Sequence, residues 1–286
     1  MRELMLHKGD YICDALFFDG SVCATRCHTG VLQPAEQPFT RNGVSVWLDG
    51  EFYNRDDVAT QQGVAAATDS ELLHVLYRHN SDLSLLKEID GIFAAVIWDS
   101  IRGRLHLVAD RYGFRQLYWT RQGNRLAWAS EVKAMLGLRG FEPRIDRKAL
   151  AQFMGVGHFI HDRTWFEGVR QLTPATVLSW DTGRCDAQLR RYWWWDEIQP
   201  WTGRYDENLI ADELGTLYTE GVRRRMPPGE RVGIELSGGL DSRGILAAMP
   251  ERGEPIHAVT VGNRGCNEVR VATAVARVKP NVVHHV

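Results

Sequence analysis

Residues 232–249 read Val-Gly-Ile-Glu-Leu-Ser-Gly-Gly-Leu-Asp-Ser-Arg-Gly-Ile-Leu-Ala-Ala-Met, and this stretch decides the fold of the C-terminal part of the chain. Val232, Ile234 and Leu236 alternate as a strand, Ser237–Ser242 form a small loop, and Ile245, Leu246 and Met249 begin a helix. Strand, glycine-rich turn and helix N-terminus together make an anion site: unpaired amides point outward and the helix dipole favours negative charge. Gly238 and Gly239 let a phosphate approach the backbone, and Ser237 and Ser242 add hydroxyl donors. Asp241 would repel a bare phosphate, so its presence implies a bridging divalent cation, Mg²⁺ by preference. A plain strand-turn-helix connection is the bland alternative, but turn chemistry alone does not call for two serines and an aspartate here.

Working outward, the downstream chain keeps alternating. A strand at 231–236 and a helix at 242–249 are followed by a strand at 256–261, a helix at 268–278 and a strand start at Val282-Val283. This order predicts the first part of a doubly wound parallel α/β sheet. Its last strand would leave an apolar edge unpaired, so either more protein follows or a partner, such as a second copy in a homodimer, covers it. Upstream, Glu207–Arg225 reads as one amphipathic helix, and Pro200-Trp201-Thr202-Gly203 as a break.

Before that break the pattern is antiparallel. Short strands are expected at 12–18, 44–48, 92–98, 104–108, 116–120 and 125–129, with helices at 70–79 and 146–154. Thr68 and Glu71 form a capping box for the first helix. Gly50, Gly91 and Gly113 read as turn glycines. The aromatic run Tyr192-Trp193-Trp194-Trp195 is expected to pack between two domains, spanning 1–198 and 204–286.

The bulk properties narrow the function classes. A net charge of −2 argues against a nucleic-acid partner. No apolar run reaches membrane-spanning length and the N-terminus has no signal-peptide core, which predicts a cytoplasmic chain without a membrane partner. Five cysteines, odd in number, fit reduced thiols. Cys23, Cys27 and His28 have no second pair at zinc spacing, so no metal is expected there.

Ser-Gly-Gly-Leu-Asp-Ser (237–242) is not a phosphate loop of the Gly-x-x-x-x-Gly-Lys type, since it has no lysine and the wrong spacing; it resembles the pyrophosphate loop of the ATP pyrophosphatase superfamily. Collinear with it are Leu-Asp-Gly-Glu-Phe-Tyr-Asn (48–54), Thr-Asp-Ser-Glu (68–71), Ile-Asp-Gly-Ile-Phe-Ala-Ala-Val-Ile-Trp-Asp (89–99), Ala-Asp-Arg-Tyr-Gly-Phe-Arg-Gln-Leu-Tyr-Trp (109–119) and Ala-Ser-Glu-Val-Lys-Ala-Met (129–135). Together they resemble the glutamine-dependent asparagine synthetases, from about Val22 onward. That resemblance implies a fold of class α/β and α+β. An Ntn-type αββα class II amidotransferase-like domain would be followed by part of a doubly wound ATP-pyrophosphatase domain. It further implies that Arg26 holds the glutamine α-carboxylate, Asp69 its α-ammonium, and Gly50 gives an oxyanion donor, with Glu51 also in the glutamine site. The family's nucleophile is an N-terminal Cys, whereas residue 2 here is Arg2 and the first cysteine is Cys13. Asp49 stands where the family has an asparagine, and a carboxylate repels an oxyanion that an amide would stabilise by about 3 kcal/mol. The glutaminase half is therefore expected to be inactive and the chain to be truncated at both ends.

For the second half the resemblance implies ATP and Mg²⁺. Leu236, Val261 and Gly262 would hold adenine; Ser237, Gly239 and Ser242 would hold pyrophosphate, with Gly238 and Leu240 also in the ATP site; Asp241 would hold the metal. An acidic residue near the substrate would stand at Asn267-Glu268. Three functions compete. One is an amide-forming ligase that adenylates a small-molecule or peptide carboxylate, with ammonia or an amine attacking. The second is a β-lactam synthetase-like or macrolactam-forming enzyme whose amine belongs to the substrate. The third is a non-catalytic remnant or interaction module that at most binds ATP.

Overall fold

The computed structural model describes every residue except Arg204, Pro227, Pro228, Glu230, Arg252 and Arg264. It divides into two compact units, Met1–Gln199 and Pro200–Val286.

Unit 1 opens with four two-residue strands, β1 (Ile12–Cys13), β2 (Phe17–Phe18), β3 (Cys23–Ala24) and β4 (Cys27–His28); β1 pairs with β4, and β2 with β3. Next come β5 (Phe39–Arg41), β6 (Val44–Phe52), helices α1 (Arg55–Gln61) and α2 (Asp69–His79), then β7 (Gly91–Asp99) and β8 (Arg104–Ala109). After β9 (Tyr118–Gln122), β10 (Arg125–Ala129), α3 (Arg147–Val156) and β11 (Val169–Gln171), the unit closes with β12 (Thr176–Asp181) and β13 (Asp186–Arg191). One antiparallel sheet has the order β13-β12-β8-β7-β6-β5, and a second β10-β9-β11.

Alternation sets what each face of the large sheet buries. Val44, Val46, Leu48 and Phe52 of β6 join Phe93, Ala95 and Ile97 of β7 in a core with α1 and α2. The intervening Trp47, Ala94, Val96 and Trp98 enter the other core, which Trp119, Leu126 and Trp128 of the second sheet pack against. Pairing runs from Val44↔Asp99 to Phe52↔Gly91, and a one-residue slip would exchange the two faces. Leu72, Leu73, Leu76 and Tyr77 of α2 are buried, the face expected from their spacing. Thr68 Oγ1 accepts from Glu71 N at 3.2 Å, while the Glu71 carboxylate accepts from Ala67 N, one residue before the cap. On the second sheet, β10 contacts a 3-10 turn, Val132–Gly137, which in turn contacts another at Arg2–Met5. Helices, sheet, sheet and helical turns thus follow the expected αββα order.

Several elements differ from expectation. The single strand expected at 12–18 is two strands with different partners, because Asp14 between them turns inward to bind Arg26. Strand β13 is almost wholly exposed and polar, so no alternation announces it. Gly50 and Gly91 lie inside strands, not at turns. At Gly50, φ is +110° and a Cβ would fall 2.0 Å from the Ile92 carbonyl oxygen, so only glycine fits.

Unit 2 contains α4 (Glu207–Arg224), β14 (Gly233–Glu235), α5 (Leu240–Ala248), β15 (Ile256–Val259), α6 (Asn267–Val278) and β16 (Val282–His285). The strands are parallel in the order β14-β15-β16. Leu236, Leu246, Met249, Ile256, Ala258, Ala272 and Ala276 form its core, with Met226 after α4. Among the described residues no helix is long and apolar enough to cross a membrane.

Candidate functional site

In unit 2 the 236–242 segment leaves β14 and enters α5 at its carboxyl end. Leu236 is fully buried; its N–H donates to Val259 O at 2.8 Å and its carbonyl accepts from Thr260 Oγ1 at 2.6 Å. The loop is closed by its two serines. Ser237 N donates to Ser242 Oγ at 3.0 Å, the two hydroxyls lie 2.9 Å apart, and Gly239 N donates to Ser237 Oγ at 3.1 Å.

Gly239 is the N-cap of α5 and Cys266 the N-cap of α6, and neither end is capped by a side chain. The two ends meet: a Cβ on Gly238 would lie 3.1 Å from Glu268 Cα, and one on Gly262 3.3 Å from Cys266 Sγ. Val261 and Gly262 therefore reach the same place as the 237–242 loop, and Leu240 and Asp241 are exposed in the first turn of α5. Two helix N-termini whose N-cap residues make no side-chain bond among the described residues bring two dipoles to one spot, which suits an anion with several charged oxygens. Glu268 sits in the first turn of α6, beside that spot. Thr260, 3% exposed, holds the strand end in place; a lone threonine after a strand carries no sequence signal for that task.

In unit 1 the residues expected around glutamine are present, and their polar groups are engaged with the chain itself. Arg26 and Asp14 are both buried, with Nε donating to Asp14 Oδ2 at 2.7 Å. Arg26 Nη1 donates to Gln33 O and Nη2 to Ala35 O, each at 2.9 Å. His28 Nε2 lies 3.3 Å from the other Asp14 oxygen. Asp69 is 4% exposed and accepts from Gln33 Nε2 at 2.6 Å and Phe52 N at 2.9 Å. Burial raises its pKa above the ordinary carboxylate value, against the lowering effect of those donors and of Arg55. Gln33, in the left-handed region at φ +49°, thus touches Arg26 through its backbone and Asp69 through its side chain.

Asp49 is half exposed and lies 3.6 Å from Arg115 Nη1. Arg115 is placed by Asp110, a fully buried carboxylate that accepts from the amides of Phe93, Tyr112, Phe114 and Arg115. Asp110 lies within the 109–119 motif, where its type alone suggests no task, and the four backbone donors give it one. Glu51 neighbours Gly50 at the end of β6, where β7 approaches so closely that a Cβ on Gly91 would lie 2.6 Å from Glu51 O. A cavity of about 790 Å³ opens beside Arg26, Cys27, Trp47, Asp49 and Trp128. The ring contacts of Trp193 and Trp195 are with each other and with Tyr112, all in unit 1.

Comparison with known proteins matches residues 1–193 to the glutamine amidotransferase domain model and residues 213–285 to the asparagine synthase model. The chain is similar to asparagine synthetase [glutamine-hydrolyzing] 3 of Bacillus subtilis, 28% identical over 244 residues, covering 81% of this chain and 39% of that protein. It is 30% identical over 224 residues to amidase chyE of Penicillium rubens, covering 75% of this chain and 32% of that one. It spans about two fifths of the length of the asparagine synthetases it matches first. Among solved structures, glutamine phosphoribosylpyrophosphate amidotransferase of B. subtilis overlaps 85% of this chain and 68% of its own at 15% identity and a TM-score of 0.40, too loosely to carry an argument.

Proposed function

The chain belongs to the glutamine amidotransferase domain family, and from that premise we propose that it is part of an ATP-dependent amide-forming ligase whose glutamine half serves as a scaffold. ATP would activate a small-molecule or peptide carboxylate with release of AMP and pyrophosphate, and ammonia or an amine would then attack. The observation that carries this reading is the meeting of two uncapped helix N-termini at Gly238, next to the Ser237–Ser242 bracket.

Each residue of that loop has a physical part. The amides of Gly238 and of the first α5 turn would take the pyrophosphate oxygens, while the Gly239 amide and the mutual bond of Ser237 and Ser242 fix the shape of the loop around them. Leu236 and Val261-Gly262, at the strand ends, would flank the adenine. Asp241 would hold Mg²⁺, whose charge offsets that of the polyphosphate; its exposure at a helix N-terminus otherwise built for anions fits that part.

The inactive glutamine half is supported by occupancy of its own polar groups. Arg26 gives its N–H groups to Asp14 and to two loop carbonyls, and Asp69 already holds an amide. Asp49 would bring a negative charge toward a developing oxyanion. This favours free ammonia or an amine carried by the substrate, as in a β-lactam synthetase-like or macrolactam-forming reaction.

Equilibrium binding of Mg·ATP tests the reading, together with glutamate release from glutamine. Saturable ATP binding that Asp241→Asn weakens about tenfold only when Mg²⁺ is present supports it, as does the absence of glutamate. No ATP binding would leave a remnant or interaction module. Glutamine turnover would refute the scaffold half of the proposal alone.

A further inference from the structure

Two thiols in unit 1 are placed for a chemistry that the ligase reading does not use. Cys13 and Cys27 are direct partners in the β1–β4 ladder, and their Sγ atoms lie 3.0 Å apart as free thiols. Asp14 N donates to Arg26 O, which marks 14/26 as a hydrogen-bonded pair and the adjacent 13/27 as a non-hydrogen-bonded one. That kind of pair brings Cα atoms to about 4.5 Å, inside the window a disulfide spans. Both residues are partly exposed to solvent, and Cys27 also lines the cavity of about 790 Å³.

We propose that Cys13 and Cys27 are a redox modification site, a dithiol that closes reversibly to a cross-strand disulfide by exchange with a low-molecular-weight disulfide such as oxidised glutathione. In the first step the Cys13 thiolate attacks one sulfur of the oxidant, the oxidant's S–S bond breaks, and one thiolate leaves. In the second the Cys27 thiol gives up its proton, its sulfur attacks Cys13 Sγ, and the second thiol of the oxidant is expelled. Two protein thiols are oxidised, one external disulfide is reduced to two thiols, and the protons pass to the leaving thiolates. Burial, with the Cys13 neighbour next, pushes the Cys27 thiol up to about 12.

The bond would act on a defined part of the fold. Asp14 follows Cys13, while Arg26 and His28 flank Cys27, so the staple closes directly over the buried Asp14–Arg26 pair. Arg26 in turn holds the Gln33 and Ala35 carbonyls. Reduced, the 30–36 loop rests on hydrogen bonds; oxidised, the strands carrying its anchor cannot part.

The test is equilibration of the whole chain in glutathione buffers, acid quench, alkylation and peptide mapping. The expected product is one peptide pair linked through Cys13 and Cys27, reversed by excess reduced glutathione. Its formation should raise the melting midpoint of unit 1 by roughly 5–10 °C. Cys23→Ser should leave both results intact, and Cys27→Ser should abolish both while the reduced protein keeps its circular dichroism. Linkage through Cys23, or stable glutathione adducts on Cys13 and Cys27 without a bond between them, would overturn the assignment.

Discussion

Arg26 Nε lies 2.7 Å from Asp14 Oδ2, and both side chains are less than a tenth exposed. A buried charge pair of this kind is costly to break from one side, because the survivor keeps its desolvation cost without its partner. Asp14→Ala should therefore destabilise unit 1 by about 3–5 kcal/mol. A double-mutant cycle with Arg26→Met, read by urea unfolding, should give a coupling of about 2 kcal/mol. Additive single effects would mean that the pair is incidental.

Asp69 depends on a second contact from the same loop. Gln33→Ala removes the amide 2.6 Å from its carboxylate and leaves Phe52 N and the more distant Arg55. A donor to the charged form holds a carboxyl pKa down, so its loss should raise the Asp69 value further. Carboxyl carbon NMR titration reads this directly; an unmoved Asp69 would show that the Gln33 bond contributes nothing.

Gly50 tests the closeness of β6 and β7. Gly50→Ala must relieve a 2.0 Å approach to the Ile92 carbonyl at φ +110°, and should cost roughly 3 kcal/mol or more. Gly63→Ala, also at positive φ but with nothing within 4 Å, should cost only about 1 kcal/mol. Equal shifts in melting midpoint would place the strain in φ alone.

Two buried histidines resist protonation in folded unit 1. Burial lowers the His106 pKa from 6.5 to about 4, and burial likewise lowers that of His74. His106 sits between Ser179 Oγ at 2.8 Å and the Tyr77 hydroxyl, which donates to Asp99. A folded value below the unfolded one means that the unfolded chain takes up the proton first as pH falls. Stability is therefore full above pH 6.5 and declines toward pH 4, by up to about 3 kcal/mol from His106. His106→Gln should flatten that decline, measured as unfolding free energy against pH. An unchanged slope would assign it elsewhere.

Ser242 Oγ touches Ser237 at its amide, its hydroxyl and its carbonyl. Ser242→Ala should cost about 1 kcal/mol in unit 2 and weaken Mg·ATP binding several-fold. Unchanged binding would detach the serine bracket from the proposed ATP site.

How much of this was legible depended on distance along the chain. The 237–242 loop could be read at once because its glycines, serines and aspartate lie within one turn. The faces of β6 and β7 were equally open, since period-two alternation fixes what a strand buries before its partner is known. The exposed strand β13 had no such pattern, and the Asp14 turn that splits the first expected strand makes sense only once Arg26 is opposite it.

The sequence alone therefore determined the strand-to-helix geometry of the 232–249 segment and the buried faces of β6 and β7, because each rests on residues that are neighbours. Only the tertiary structure decided that Asp14, Arg26, Gln33 and Asp69, drawn from separate segments, satisfy one another, and that Cys13 faces Cys27 across a ladder. The physical reason is desolvation. A buried charge or amide must find a partner within hydrogen-bond reach, and which partner arrives is settled by packing between distant segments.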